Sequence, residues 1–496
     1  MKKIFFKVKV ICLGVIAFAL GACSKDYLDA VPTNQVSTAD AFSTTENAWS
    51  ALNGIHRLMY SQIFGRQSQG GQSGNMLYMD IVGEDEVANS ISNSWLTREY
   101  QWTGHTDATR YSNTYNYGFY YMIISNANMI IANVDAATGP EADKRIIKGQ
   151  ALAYRAWSYF QMVQLFGKRY EAGGDNSNLG VPLVLEPSTE PHPRNTVAEV
   201  YSQINTDLDA AVAALDGYNR ANKSHLDARI AKGIKARVAL VQENWASAAQ
   251  YAREARTGFS LMSQDDVLGG FNNYDNSEWM WASRIQSDQT NYFYSFFAYM
   301  SCNYNSTAIR VNPKSIFTSL YDQISDSDVR KGLWDPTGEN VEEFPIPDNG
   351  LRAKYGSRKF RVADEALSIG DVPYMRASEM YLIEAEALAR SGDNVGAASI
   401  LNEFAVARDL EYEGTSNTGQ ALTEEIWIQR RVEFWGEGFR FYDLKRNNLP
   451  LDRTGGNHNP SYAQVLSVPA GDSRWQFQIP QDEINNTNGI VTQNPQ

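Results

Sequence analysis

The sequence contains few residues that could form covalent or metal cross-links. Three cysteines occur among its 496 residues, and only Cys23 and Cys302 lie beyond the first 22. The five histidines show no ligand spacing, so we predict no metal site and no cofactor. If Cys23 carries a lipid, no internal disulfide can form, and the chain must be held together by its core. With 43% hydrophobic residues, it can form one.

The sequence also lacks the signatures of common catalytic sites. It has no glycine-rich phosphate loop and no nucleophile elbow. Adjacent carboxylates occur at Asp85-Glu86 and at Glu342-Glu343. Adjacency in sequence does not place a general acid and a general base on either side of a scissile bond. We therefore predict that the protein is not an enzyme.

Basic residues are scarce relative to acidic ones. The chain has 44 Lys and Arg against 57 Asp and Glu, which gives a formal net charge of −13. Four lysines and no acidic residue lie in residues 1–22, so the chain without that segment carries −17. So acidic a chain argues against nucleic acid and anionic lipid surfaces as partners.

The N-terminus has the pattern of a targeting segment. A lysine-rich stretch precedes an apolar run of eleven residues at 10–20, which is too short to span a bilayer comfortably. The letters LGAC, ending at Cys23, are typical of a bacterial lipobox. We predict a lipoprotein signal peptide at 1–22, lipidation of Cys23 and a tether at 23–43. No later apolar run approaches ~20 residues, so the acyl group is predicted to be the membrane anchor.

The strongest helical pattern lies at 374–408, where the sequence reads YMRASEMYLIEAEALARSGDNVGAASILNEFAVAR. Apolar residues recur at helical spacing on both sides of the Ser-Gly-Asp turn. Ala385 and Ala397 stand twelve positions apart, one small residue in each helix, where two helices must approach closely. Ala236 and Ala248 repeat this spacing. The pattern is typical of a tetratricopeptide-type helix pair.

One such pair cannot bury its own apolar face, so the pattern predicts stacked neighbours. We predict a mainly α fold in which 44–496 form a single domain. It contains about four tetratricopeptide-like helix pairs, over 46–135, 143–215, 227–256 and 374–408. Thr196 and Glu199 form a capping box that starts one of these helices, and a further helix is predicted at 424–435.

Two long segments, about 65–113 and 259–363, lack a lasting helical period and are predicted to be irregular insertions. Such segments on a rigid scaffold are usually functional or disordered. Their aromatic content argues against disorder. The short run 278–282 alternates in a way that favours a strand, and we interpret Trp281 as a core residue.

Aromatic residues cluster in both insertions. Residues 291–304 hold seven aromatics, and residues 95–121 hold nine. Flat rings can stack on sugar rings while neighbouring Asn, Gln and Arg side chains bond the hydroxyl groups. The candidate stacking residues are Trp95, Trp102, Tyr292, Tyr294 and Tyr304. The alternative is that most of these rings fill the core of a helix-poor region.

A charged run at 430–440, RRVEFWGEGFR, could suggest an active site. Opposite charges at helical spacing more often form salt bridges that hold a helix end in place. We therefore predict a structural role for this run.

Several blocks, in order, resemble the SusD/RagB family of outer-membrane lipoproteins. They include SKDYLDAVP after Cys23, GQALAYRAWSYFQMVQLFG at 149–167, the charged block at 430–446 and the final QNP. Gln429 stands where the family often has Glu, and Tyr117 where it usually has Trp. The resemblance covers nearly all of the chain beyond the signal peptide.

The resemblance implies tetratricopeptide-like helix pairs and a non-catalytic protein at the outer membrane, lipid-anchored and facing the cell exterior. It implies a glycan ligand and a TonB-dependent, SusC-like transporter as partner. In starch-binding members the ligand-binding aromatics come from loops that correspond here to 75–113 and 259–310. Two alternatives remain open: a surface scaffold that binds peptides on its concave face, and a surface glycoside hydrolase.

Overall fold

The computed structural model describes residues 38–288 and 295–496. The predicted signal peptide, Cys23 and the tether up to residue 37 lie outside the described residues, as do Tyr292 and Tyr294. In the described part of the chain, no helix is both long enough and apolar enough to cross a membrane.

Eleven helices of seven residues or more carry the described fold. In chain order they are α1 Thr45–Leu58, α2 Gly71–Ile81, α3 Tyr111–Asn133, α4 Glu141–Phe166, α5 Val197–Ala214, α6 Ala228–Val241, α7 Trp245–Ala255, α8 Ala377–Arg390, α9 Asn394–Val406, α10 Gly419–Glu433 and α11 Arg440–Arg446. Shorter helical segments are Thr38–Ala41, Ser92–Ser94, Thr97–Tyr100, Val134–Ala136, Gln264–Leu268, Phe297–Met300, Thr307–Val311, Thr318–Tyr321, Val329–Leu333, Pro460–Ala463, Ser473–Trp475 and Gln481–Asn486.

Within the described residues, the strands are short and form three small antiparallel sheets. They are β1 Glu86–Ala88, β2 Trp279–Ser283, β3 Lys314–Ile316, β4 Trp334–Asp335, β5 Gly356–Ser357, β6 Val372–Arg376, β7 Leu451–Asp452 and β8 Ser467–Val468. One sheet has the order β1-β3-β5-β4, and the other two are the pairs β2-β6 and β7-β8.

The long helices of the described chain pack as four pairs: α1 with α3, α4 with α5, α6 with α7, and α8 with α9. Each pair also contacts the next, through α3 on α4, α5 on α6 and α7 on α8. The predicted fold class, mainly α with tetratricopeptide-like helix pairs, is confirmed.

Local chemistry explains where these helices begin. The Thr196 hydroxyl accepts the Glu199 backbone N–H at 3.2 Å, while the Glu199 carboxylate accepts the Thr196 N–H at 2.7 Å, so the predicted capping box is present. Asp227 caps α6 in the same sense by accepting two backbone N–H groups. Ala385 and Ala397 are fully buried in one cluster, as the close helix contact requires.

Helix α2 was not predicted, because it lies within 65–113, which was predicted to be an irregular insertion. Ten of its eleven residues are buried, so it has no polar face, and no amphipathic period marks it in the sequence. Gly71 has φ +54°, and a Cβ there would collide with the Met59 carbonyl group. Glycine is required at this position because the backbone is left-handed and a neighbouring chain lies against it.

The run at 278–282 does form a strand, since β2 pairs with β6. Trp281 is 1% exposed, and its ring centroid lies 5.3 Å from that of Trp157 and 5.3 Å from that of Tyr374. The interpretation of Trp281 as a core residue is confirmed.

The charged run at 430–440 forms buried salt bridges. Glu433 lies 2.7 Å from Arg376 and 3.0 Å from Arg408, and Arg408 also lies 2.7 Å from Glu278. Glu437 pairs with Arg376 and with Lys359, each at 2.7 Å. This buried ion network joins β6 and α10 to the chain just after α9 and just before β2, so the predicted structural role is confirmed.

Candidate functional site

The two irregular insertions meet through one strand pair. Strands β1 and β3 are antiparallel, which brings the chain after β1 against the chain before β3. The Asn89 side-chain amide donates to the Pro313 carbonyl at 2.7 Å and to the Ser315 hydroxyl at 2.8 Å. The Asn89 backbone N–H donates to the Asn312 side-chain carbonyl at 2.8 Å. We call this set of contacts the Asn89 clamp.

Trp95 lies just beyond the Asn89 clamp, in a strained turn. Asn93 and Leu96 on either side of it have φ +64° and φ +55°. Positive φ is uncommon for residues other than glycine, and such strain often clusters at functional sites. The Trp95 ring is half-buried and meets Tyr299 edge to face, with centroids 6.4 Å apart.

A cleft of about 160 Å³ opens beside this ring pair. Its walls are formed by Gln67, Trp95, Tyr299, Ser306 and Thr307, with two alanines between them. The cleft therefore offers aromatic surface next to amide and hydroxyl groups, which suits a ligand with flat apolar faces and many hydroxyl groups. We call it the Trp95 cleft.

The prediction that Trp102 and Tyr304 stack on a ligand is wrong, because neither ring presents an exposed face. Trp102 is 2% exposed and donates its indole N–H to the Val82 carbonyl at 2.7 Å. Its ring packs edge to face on Trp475, with centroids 4.9 Å apart. Tyr304 is 5% exposed. Both rings contribute to the core, which was the alternative weighed from composition.

Tyr292 and Tyr294 lie outside the described residues, and their proposed stacking role stays a prediction. Tyr299 and Gln67 were not singled out from the sequence. Tyr299 belongs to the aromatic run at 291–304, but nothing local distinguishes it from its neighbours there. Gln67 is more than two hundred positions from the residues of the second insertion that line the cleft with it, so no local pattern in the sequence relates them.

One carboxylate of each adjacent pair forms ion pairs. Asp85 lies 2.6 Å from Arg431 and 3.4 Å from Arg440, and Glu343 lies 3.1 Å from Arg358. None of these carboxylates lines the Trp95 cleft, whose described walls hold no Asp or Glu. Glycoside hydrolysis by the common mechanisms needs two carboxylates across the scissile bond. Among the described residues, no group of three or more His, Cys, Asp and Glu could hold a metal ion.

Glu86 on β1 is a fully buried carboxyl, and burial raises its pKa to about 7, although the nearby Lys314 opposes this. Because the pKa of Glu86 is above its ordinary value in the folded chain, the protonated carboxyl contributes to the free energy of unfolding. This contribution is complete below about pH 4.5 and is lost as the pH rises through 7. We expect the unfolding free energy to fall by about 2–3 kcal/mol between pH 5 and pH 8 from this group. In Glu86→Gln this component of the decline should disappear, as measured by urea unfolding at both pH values.

The matched control is Glu46→Gln, which changes an exposed carboxyl on α1. It should keep the pH dependence of the parent protein. If the free energy of unfolding falls equally between pH 5 and pH 8 in the parent protein and in Glu86→Gln, the assignment of this decline to Glu86 is contradicted.

Comparisons with known proteins agree with the fold. Residues 26–240 match the model of a family described as "Starch-binding associating with outer membrane", and residues 293–496 match the model described as "SusD family". A curated relative, SusD-like protein P25 of Formosa agariphila, is 25% identical over 374 residues, covering 67% of this chain and 69% of that protein. SusD-like protein P38 of the same organism is 21% identical over 511 residues, covering 92% and 94%.

Solved structures are similar over nearly the whole chain. A SusD-like carbohydrate binding protein from Bacteroides vulgatus aligns with a TM-score of 0.79 and 25% identity, covering 90% of this chain and 97% of that one. A laminarin binding SusD-like protein aligns with a TM-score of 0.72 and 20% identity, covering 92% and 100%. The second likeness, at that identity, shows a shared fold.

Proposed function

Because this chain belongs to the SusD/RagB family of carbohydrate-binding proteins, we propose that it captures a glycan in the Trp95 cleft without cleaving it. The observation that carries this proposal is the half-buried Trp95 ring beside Tyr299, held over a cleft whose other described walls are amide, hydroxyl and methyl groups. A sugar ring would stack on the exposed part of the indole, while Gln67 and Thr307 bond its hydroxyl groups.

The hydrogen bonds that hold the walls of the cleft together support the proposal that it captures a glycan. Asn89 fixes the loop that carries Trp95 to the chain before β3, so the two walls are held together before a ligand arrives. Pre-organised walls lose less conformational entropy when a ligand binds. The proposed site therefore needs little rearrangement to accept a sugar.

Membrane attachment and delivery belong to the same proposal. The lipobox that ends at Cys23 supports an acyl anchor in the outer membrane, with the folded chain facing the cell exterior. Family membership supports a TonB-dependent, SusC-like barrel as the transporter that receives the glycan. The protein would then hold the ligand at the mouth of that barrel.

A panel of polysaccharides separates this proposal from its alternatives. The protein is run in native gels that contain each polysaccharide, and the same mixtures are assayed for released reducing ends. We expect retardation by at least one polysaccharide and no release. Release would support a glycoside hydrolase, and a panel without retardation or release would favour a peptide-binding scaffold; either result would overturn the proposal.

The anchor has its own test. Proteinase added to intact cells should digest the protein, and Cys23→Ala should leave it unlipidated, which metabolic labelling with a fatty acid would detect. Survival of the parent protein while known surface proteins are digested would contradict the outward orientation.

A further inference from the structure

The three segments that supply the described walls of the Trp95 cleft differ in charge from the rest of the molecule. Residues 60–79, 87–98 and 295–313 contain three arginines and not one Asp or Glu. The whole chain has 57 acidic residues and a formal net charge of −13. The segments that form these walls therefore carry a positive formal charge within an acidic protein.

Arg310 is the arginine most directly attached to the cleft wall. It lies in the helical turn Thr307–Val311, which also supplies Thr307 to the lining. Its guanidinium donates to the Asn305 side-chain carbonyl at 2.7 Å and to the Thr307 hydroxyl at 3.3 Å. Both acceptors are neutral, so these bonds position the guanidinium beside the lining without balancing its charge.

The other two arginines differ in their pairing. Arg98 forms a salt bridge with Asp107 at 2.9 Å, so its charge is balanced. Arg66 is exposed, next to the lining residue Gln67, with its guanidinium 4.9 Å from the centre of the Tyr111 ring. Within the described residues, neither Arg66 nor Arg310 has a carboxylate within 4 Å.

We propose that the Trp95 cleft selects an anionic glycan, with Arg310 binding a carboxylate or sulfate group of the sugar that stacks on Trp95. This inference rests on the proposed function and narrows its ligand class. A guanidinium matches the planar geometry of a carboxylate and of two sulfate oxygens. The described walls of the cleft hold no Asp or Glu that would repel such a ligand at close range.

The test uses the full chain without its signal peptide and two matched pairs of polymers. One pair is polygalacturonate and its fully methyl-esterified form, and the other is dextran sulfate and dextran. The two members of a pair share one polymer backbone, and only one of them carries negative charge. Because the protein is itself acidic, non-specific attraction to a polyanion is disfavoured, so retardation by a charged member reports a local site.

We expect at least one charged polymer to be bound about tenfold or more tightly than its neutral partner at low ionic strength. Arg310→Gln should remove most of that preference, Arg310→Lys should keep part of it, and Arg66→Gln should weaken it less. Arg145→Gln is the control for net charge, because Arg145 is an exposed residue of α4 that does not line the cleft. Melting temperatures of all four variants check that the fold is intact.

The two polymer pairs also identify the source of the charge. A preference for polygalacturonate alone assigns a carboxylate, and a preference for dextran sulfate alone assigns a sulfate; both support the inference. Equal binding of charged and neutral partners, or a preference that survives Arg310→Gln, would overturn it and leave the proposed function in place. A protein that binds no glycan in this test or in the wider panel would overturn both.

Discussion

Glu433→Gln is expected to lower the free energy of unfolding by about 3–5 kcal/mol, because it removes one charge from the buried ion network. Glu433 is 3% exposed and pairs with three arginines: Arg376 at 2.7 Å, Arg408 at 3.0 Å and Arg330 at 3.2 Å. Burial alone would raise the pKa of Glu433, but Arg408 and Arg376 hold it well below its ordinary value. In the variant, the positive charges of these arginines would repel one another, because the negative charge of Glu433 between them is gone.

Urea unfolding at neutral pH measures this change. The matched control is Glu141→Gln, which breaks an ion pair with Lys144 on the exposed surface of α4, where the Glu141 side chain is 86% exposed. Exposed pairs contribute about 0–1 kcal/mol, so the control should unfold close to the parent protein. Similar losses for the two variants would show that burial of the network does not carry the stability assigned to it.

The second large effect concerns two tryptophans that are seven positions apart. Trp95→Ala is expected to weaken glycan binding by about 2 kcal/mol, or roughly thirtyfold, with little change in melting temperature, because its half-buried ring faces the cleft. Trp102→Ala is expected to do the reverse and to lower stability by about 3–5 kcal/mol, because its ring is packed in the core. Titration with a glycan from the panel and thermal unfolding should be measured on the same preparations.

Each variant serves as the control for the other. If Trp95→Ala lowers the melting temperature as much as Trp102→Ala and leaves affinity unchanged, the Trp95 ring is a packing residue and the cleft is misassigned.

Features with local causes could be predicted from the sequence. The hairpin at 374–408 was predicted because its apolar spacing, its glycine turn and its paired alanines all lie within one short stretch. The capping box at Thr196 is equally local. Helix α2 was missed for the opposite reason, since its residues are buried on all sides by segments distant in sequence, and no polar face marks it.

The candidate site was only partly predictable. The two aromatic insertions were identified from composition, and Trp95 was selected with them. Nothing in the sequence separates Trp95 from Trp102, because their exposure depends on partners such as Val82 and Trp475. Tyr299 and Gln67 line the same cleft although they are more than two hundred positions apart in the chain. Such pairings leave no trace in local spacing.

The Asn89 clamp has a consequence for the order in which the protein becomes competent to bind. It closes a chain loop of more than two hundred residues, because Asn89 bonds to Pro313 and Ser315. Closing so long a loop is entropically unfavourable until the intervening helices have packed and shortened the distance. A chain truncated before residue 298 lacks Tyr299, Ser306 and Thr307 and therefore has only one wall of the cleft. Ligand binding would therefore mark the completion of folding, and an N-terminal fragment could not serve as a partial receptor.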